Sequence, residues 1–149
     1  VGMSSISDID LHLQALSLFD QSNKILPDII KKLDDEARKS LGEDWLSTWQ
    51  VGLPSWNLTP GNINLPILLW LHNLIESWGM EGYAKARYGL LGKAGHWFPG
   101  ENADQFDNEV SEIDLQAVLI NSPWKNKIPG ILRRMKDRLG GEVRRRLWN

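Results

Sequence analysis

The 149-residue sequence contains no cysteine, which removes disulfide frameworks, thiolate metal centres and thiol nucleophiles together. Histidine is almost as scarce, with His12, His72 and His96 the three copies. His72 and Glu76 stand four apart on one helical face, a spacing that suits a metal or an acid/base pair. Zinc wants three or four ligands, and no second cluster joins that pair, so neither a metal nor a cofactor is expected. Long apolar runs are missing too: the longest, Ile67 to Leu71, falls far short of the ~20 residues that a bilayer span requires. The start of the chain has no basic stretch followed by an apolar run, and Val1-Gly2 ahead of Met3 reads as a vector-derived remnant. No membrane association and a cytoplasmic location are the expectations.

What is present fits a folded globular protein. Hydrophobic residues make up 42% and charged residues 24%, and a chain of this length can close one core. The expectation is a single globular helical domain over 3–149, a mainly α, compact bundle of about five to seven helices with long tryptophan-rich loops. Eight tryptophans are many for this length. Each is either a core anchor or, where exposed, a hot spot for a partner.

Along the chain, Ser7 and Asp8 offer N-cap oxygens to a run holding Ile9, Leu11, Leu13, Leu16, Leu18 and Phe19. Apolar residues on most sides predict a largely buried helix. Ser22 and Asn23 interrupt it, and Pro27 suits the first turn of a second helix in which Ile25, Ile29, Leu33, Ala37 and Leu41 recur every four residues, until Gly42 stops it. The stretch from Glu43 to Asn64 reads as a short helix followed by a loop pinned by tryptophans. Asn64 then caps a central helix that starts at Leu65-Pro66, is apolar nearly all round, and ends at Gly79.

Between Met80 and Leu91 a helical spacing competes with a strand-like alternation, so a small β element near 83–91 stands as the alternative to a helix. Gly92 to Asp104 reads as a second pinned loop. Phe106, Val110, Ile113, Ala117 and Ile120 predict a helix from about Asp107 to Asn121. Pro129-Gly130 separates a short segment from a final helix in which Ile131, Met135, Leu139, Val143 and Leu147 repeat every four residues, with a kink at Gly140-Gly141.

Net charge is only −2, yet it is segregated. From Lys125 to Asn149 nine basic residues face two acidic ones, giving +7 and leaving −9 on the remainder. A basic C-terminal helical segment over 125–149 follows. It either neutralises the acidic body, docks on an acidic protein, or grips phosphates. Trp148, beside Arg144, Arg145 and Arg146, suits stacking on an unpaired base.

Catalytic readings are thin. Gly92-Lys93-Ala94-Gly95 lacks the P-loop spacing, and Glu109, Glu112 and Asp114 do not share one helical face. Arg87 and His96 with Glu101 would be the set for metal-independent RNA cleavage, the histidine moving the proton and the arginine stabilising phosphate charge. The leading expectation is a non-enzymatic interaction protein of the inhibitor, immunity or assembly type, with a protein as its partner. Its contact residues would be Trp45, Trp49, Trp56, Trp97 and Phe98 in the loops, and Arg133, Arg134, Arg138, Arg144, Arg145 and Arg146 in the basic helix. Nucleic-acid binding through that helix, or cleavage at Arg87 and His96, is the alternative.

Overall fold

The computed structural model describes residues 5–93 and 97–140. They form seven α-helices joined by short 3₁₀ turns, the mainly helical class expected. The helices are α1 (Ile6–Ser17), α2 (Phe19–Leu41), α3 (Glu43–Thr48), α4 (Leu65–Trp78), α5 (Glu81–Leu90), α6 (Glu112–Val118) and α7 (Ile128–Leu139). Their contacts fall into two units, one running to Glu36 and one starting at Ala37.

In the first unit Ser5 opens α1, its N–H donating to the Asp8 carboxylate at 2.9 Å. Only Leu18 separates α1 from α2. The break expected at Ser22 does not occur, because the Ser22 hydroxyl donates to the Phe19 carbonyl at 2.6 Å and is satisfied inside the helix. Pro27 therefore lies within α2 rather than in its first turn, where it removes one backbone donor. The expectation of a largely buried first helix is overturned: α1 buries no residue at all.

The second unit is built round α4. Asn64 caps it as expected, its side-chain oxygen accepting from the Ile67 N–H at 3.1 Å. Gly79 ends it in the left-handed conformation, where glycine carries no steric penalty. Leu65, Leu68, Leu69, Leu71 and Ile75 of α4 are buried against Tyr88, Leu115, Ile131, Leu132 and Met135, in a core that also holds Trp45 and Phe106. At about 25 cal/mol per Å² this apolar burial is the main stabilising term for the unit.

Helix α5 settles the 80–91 ambiguity, and no β element forms there. Two isolated bridges, Ile63 with Glu101 and Phe106 with Val110, are the extended pairing among the described residues. The helix expected over 107–121 is shorter. Asp107 takes a left-handed turn with φ of 63°, and the Ser111 hydroxyl then caps the Asp114 N–H at 3.2 Å, so α6 begins at Glu112. Pro129 sits in the first turn of α7, which starts at Ile128 instead of after Gly130. Val143, Leu147 and Gly141 lie outside the described residues.

Asn64 does more than cap. Its amide nitrogen donates to the Pro99 carbonyl at 2.7 Å, and its backbone N–H donates to the Glu101 carbonyl at 2.9 Å. One buried residue thus joins the start of α4 to the 99–101 segment, its side chain bonding Pro99 and its backbone Glu101. Asn64→Ala is expected to lower the unfolding free energy by about 1–3 kcal/mol, and by clearly more than Asn57→Ala, whose side chain is exposed. Urea unfolding followed by tryptophan fluorescence measures both.

Candidate functional site

The bonds made by Asn64 and Glu101 hold two loops side by side, and an open cleft of about 640 Å³ lies between them. Trp56, Phe98 and Pro99 give it apolar walls, while Asn62, Lys93 and Glu101 supply polar edges. Two glycines make this geometry reachable. At Gly100, with φ of 80°, a Cβ would stand 2.8 Å from the Asn62 carbonyl oxygen and 3.0 Å from the Trp56 Cβ. At Gly92 a Cβ would meet the Glu101 carboxylate, so that carboxyl group rests directly on bare backbone. A cleft of this kind presents aromatic surface beside one carboxylate and one ammonium.

The expected contact residues divide. Trp56 and Phe98 come together in the cleft, and Trp97 beside them is 78% exposed. Trp49 is half-buried against the core. Trp45 corrects the expectation: it is 1% exposed and its indole N–H donates to the Asn73 side-chain oxygen at 2.7 Å. It is a core residue, so it offers no surface to a partner.

Two arginines of the basic segment, Arg133 and Arg138, are matched from within. Arg133 donates to both oxygens of Asp107, at 2.6 and 3.0 Å, and to Glu112 at 2.6 Å. Arg138 meets Glu81 at 2.8 Å and Glu76 at 3.4 Å. The Arg133 hydrogen bonds hold the Asp107 carboxyl below the usual carboxylate range, and those from Lys85 and Arg138 do the same for Glu81. Arg134 is exposed and has no ion pair among the described residues. Arg144, Arg145, Arg146 and Trp148 lie outside the described residues.

The cleavage set is not assembled. The Arg87 guanidinium lies 3.8 Å over the Tyr83 ring, no hydrogen bond or ion pair joins it to Glu101 among the described residues, and His96 lies outside them. Among the described residues no group of three or more His, Asp or Glu side chains could hold a metal ion, and no helix is long and apolar enough to cross a membrane.

Sequence reasoning missed the surface of the first unit. Twelve large apolar side chains of α1, Leu18 and α2 up to Leu33 are exposed among the described residues, Ile6, Leu11, Leu13, Leu16, Phe19 and Ile30 the most open of them. On α2 Ile25, Leu26, Ile29, Ile30 and Leu33 share one broad face, and Lys24, Asp28, Lys31 and Asp35 lie opposite, the last two paired at 3.5 Å. Together the twelve expose on the order of 1,000 Å² of apolar surface, spread over α1 and the first part of α2.

No family model, no curated protein and no solved structure matches the chain.

His72 on α4 is 6% exposed. Burial, followed by the charges of Arg134, Lys127 and Arg138, lowers its pKa from 6.5 to about 4. The unfolded chain therefore binds a proton that the folded one refuses between those values. The stabilisation is complete above pH 6.5 and is lost as the pH falls towards 4. Compared with His72→Gln, the wild-type protein should lose roughly 3 kcal/mol of additional stability between pH 7 and pH 4, measured by urea unfolding at each pH. Parallel curves for the two proteins would refute the assignment.

Proposed function

We propose that this is a non-enzymatic interaction protein that docks on a protein partner through the apolar face of α1 and α2. The observation that carries the reading is that the described residues up to Glu36 bury no side chain while twelve large apolar ones stand in water. Isolated helices are marginal in water even with favourable composition, and most helical stability in proteins comes from packing an apolar face. The exposed area also matches the ~800 Å² that one partner contributes to a standard interface.

A protein partner fits this surface better than a nucleic acid does. Phosphate recognition requires arginine and lysine, whereas the face of α2 made by Ile25, Leu26, Ile29, Ile30 and Leu33 is aliphatic. The Trp56–Phe98 cleft supports the same reading as a separate aromatic surface of the kind that anchors interface residues. The basic helix supports it less than the charge count implied, because Arg133 and Arg138 are engaged with internal carboxylates.

The test is a pair of exposed substitutions, Leu16→Glu with Ile30→Glu, which leave the core of the second unit untouched. In the cells that make it, the wild-type chain should cross-link to a partner chain, or to itself, in a complex that survives purification. The double variant should sediment as a free monomer with unchanged unfolding of its second unit. A wild-type chain that is itself monomeric and cross-links no more than the variant overturns the proposal.

A further inference from the structure

We propose that the junction of α3, α4 and α7 is a binding site for a doubly charged phosphate monoester, held by His72, Lys127 and Arg134. This site lies within the second unit and stands independently of the docking face on α1 and α2.

Its framework is a pair of indoles. Trp45 is fixed by its bond to Asn73 at 2.7 Å and meets Trp124 edge-on, with ring centroids 5.3 Å apart. Trp124 is itself fixed, its indole N–H donating to the Thr48 hydroxyl at 2.9 Å. The Lys127 ammonium stands 4.3 Å over the Trp45 ring and 5.0 Å over that of Trp124, an arrangement that holds a cation in place without neutralising it. His72 touches the same Trp45 ring edge-on, at 6.0 Å between centroids. One rigid indole therefore contacts both the ammonium and the imidazole.

His72 is 94% buried by its 6% exposure, yet its ring makes no hydrogen bond among the described residues. Every fully enclosed side-chain nitrogen or oxygen there does have a partner. The unpartnered ring nitrogens of His72 are therefore not fully enclosed. Arg134 lies two helical turns beyond Lys127, on the same side of α7, with its guanidinium folded back so that a Cβ at Gly130 would be 3.7 Å from Nη1.

The neighbouring rung of the α4–α7 seam shows what is missing. One turn after His72, Glu76 accepts from Arg138 at 3.4 Å, so cation and carboxylate are matched. At the His72 rung the charged groups that act on the imidazole are Arg134, Lys127 and Arg138, all positive. Arg134 and Lys127 make no ion pair among the described residues, and two permanent cations near a neutral imidazole donor complement a dianion. Arginine contributes a planar fork, lysine a point charge and the imidazole one N–H.

The test uses inorganic phosphate as probe, titrated at fixed ionic strength with chloride as the balancing ion, and reads the fluorescence of Trp45 and Trp124. The wild-type protein should give a saturable change and a higher unfolding temperature at saturation, since a ligand bound only to the folded state stabilises it. Arg134→Gln and Lys127→Gln should each weaken binding about tenfold or more, while Arg133→Gln, whose partners are Asp107 and Glu112, leaves it unchanged. A single-stranded oligonucleotide without terminal phosphates, which carries only diesters, should compete poorly. Identical titrations for wild type and Arg134→Gln overturn the site. Stronger competition by the oligonucleotide overturns the monoester assignment.

Discussion

Apolar side chains have to leave water for a chain of this size to hold a fold, and the two units meet that constraint differently. In the second, α4 is apolar nearly all round and is enclosed by α5, α7 and the loops on either side, so its leucines are out of solvent. Everything else there follows from enclosing α4. Asn64 starts the helix and ties the 99–101 loop to it, Gly79 ends it, and the two loops brought together leave the aromatic cleft between them. In the first unit the same requirement is unmet, because α1 and α2 up to Glu36 expose their apolar faces. The interaction reading rests on that contrast.

Charge follows packing. The segregation of +7 from −9 in the sequence reads as a field available to outsiders, yet Arg133 and Arg138 find Asp107, Glu112, Glu76 and Glu81 on the same unit. Exposed pairs of this kind contribute little stability individually. Their effect is to orient α7 and to use up cations that would otherwise face solvent. Among the described residues Arg134 and Lys127 form no such pair, and both act on the His72 imidazole.

Local signals in the sequence were legible wherever one residue acts on its neighbours. Asn64 as a cap, Gly42 and Gly79 as stops, and the central position of α4 all follow from short-range chemistry, and each is present. Ser111 with Asp114 is a capping box of the same legible kind, and it places the start of α6 better than the apolar spacing from Phe106 does. Burial was less legible. Apolar character on most sides of α1 predicts a buried helix, but periodicity records which faces seek cover and says nothing of whether the cover is in the same chain. Likewise nothing local marks Trp45 as a core indole and Trp56 as a surface one: Trp45 is enclosed by Asn73, His72 and Trp124, which are distant in the sequence. The proposed group joins His72 to Lys127 and Arg134, which lie 55 and 62 residues further on, so no motif could announce it.

Among the described residues α1 and α2 up to Glu36 bury no side chain, and the docking proposal takes their cover to come from a partner. Hydrogen exchange of the purified, dilute monomer tests it most directly, because amide protection tracks the free energy of local opening. Peptides covering Ile6 to Leu33 should exchange many times faster than those of α4 and α7. Protection equal to that of α4 in a chain shown to be monomeric would contradict the account.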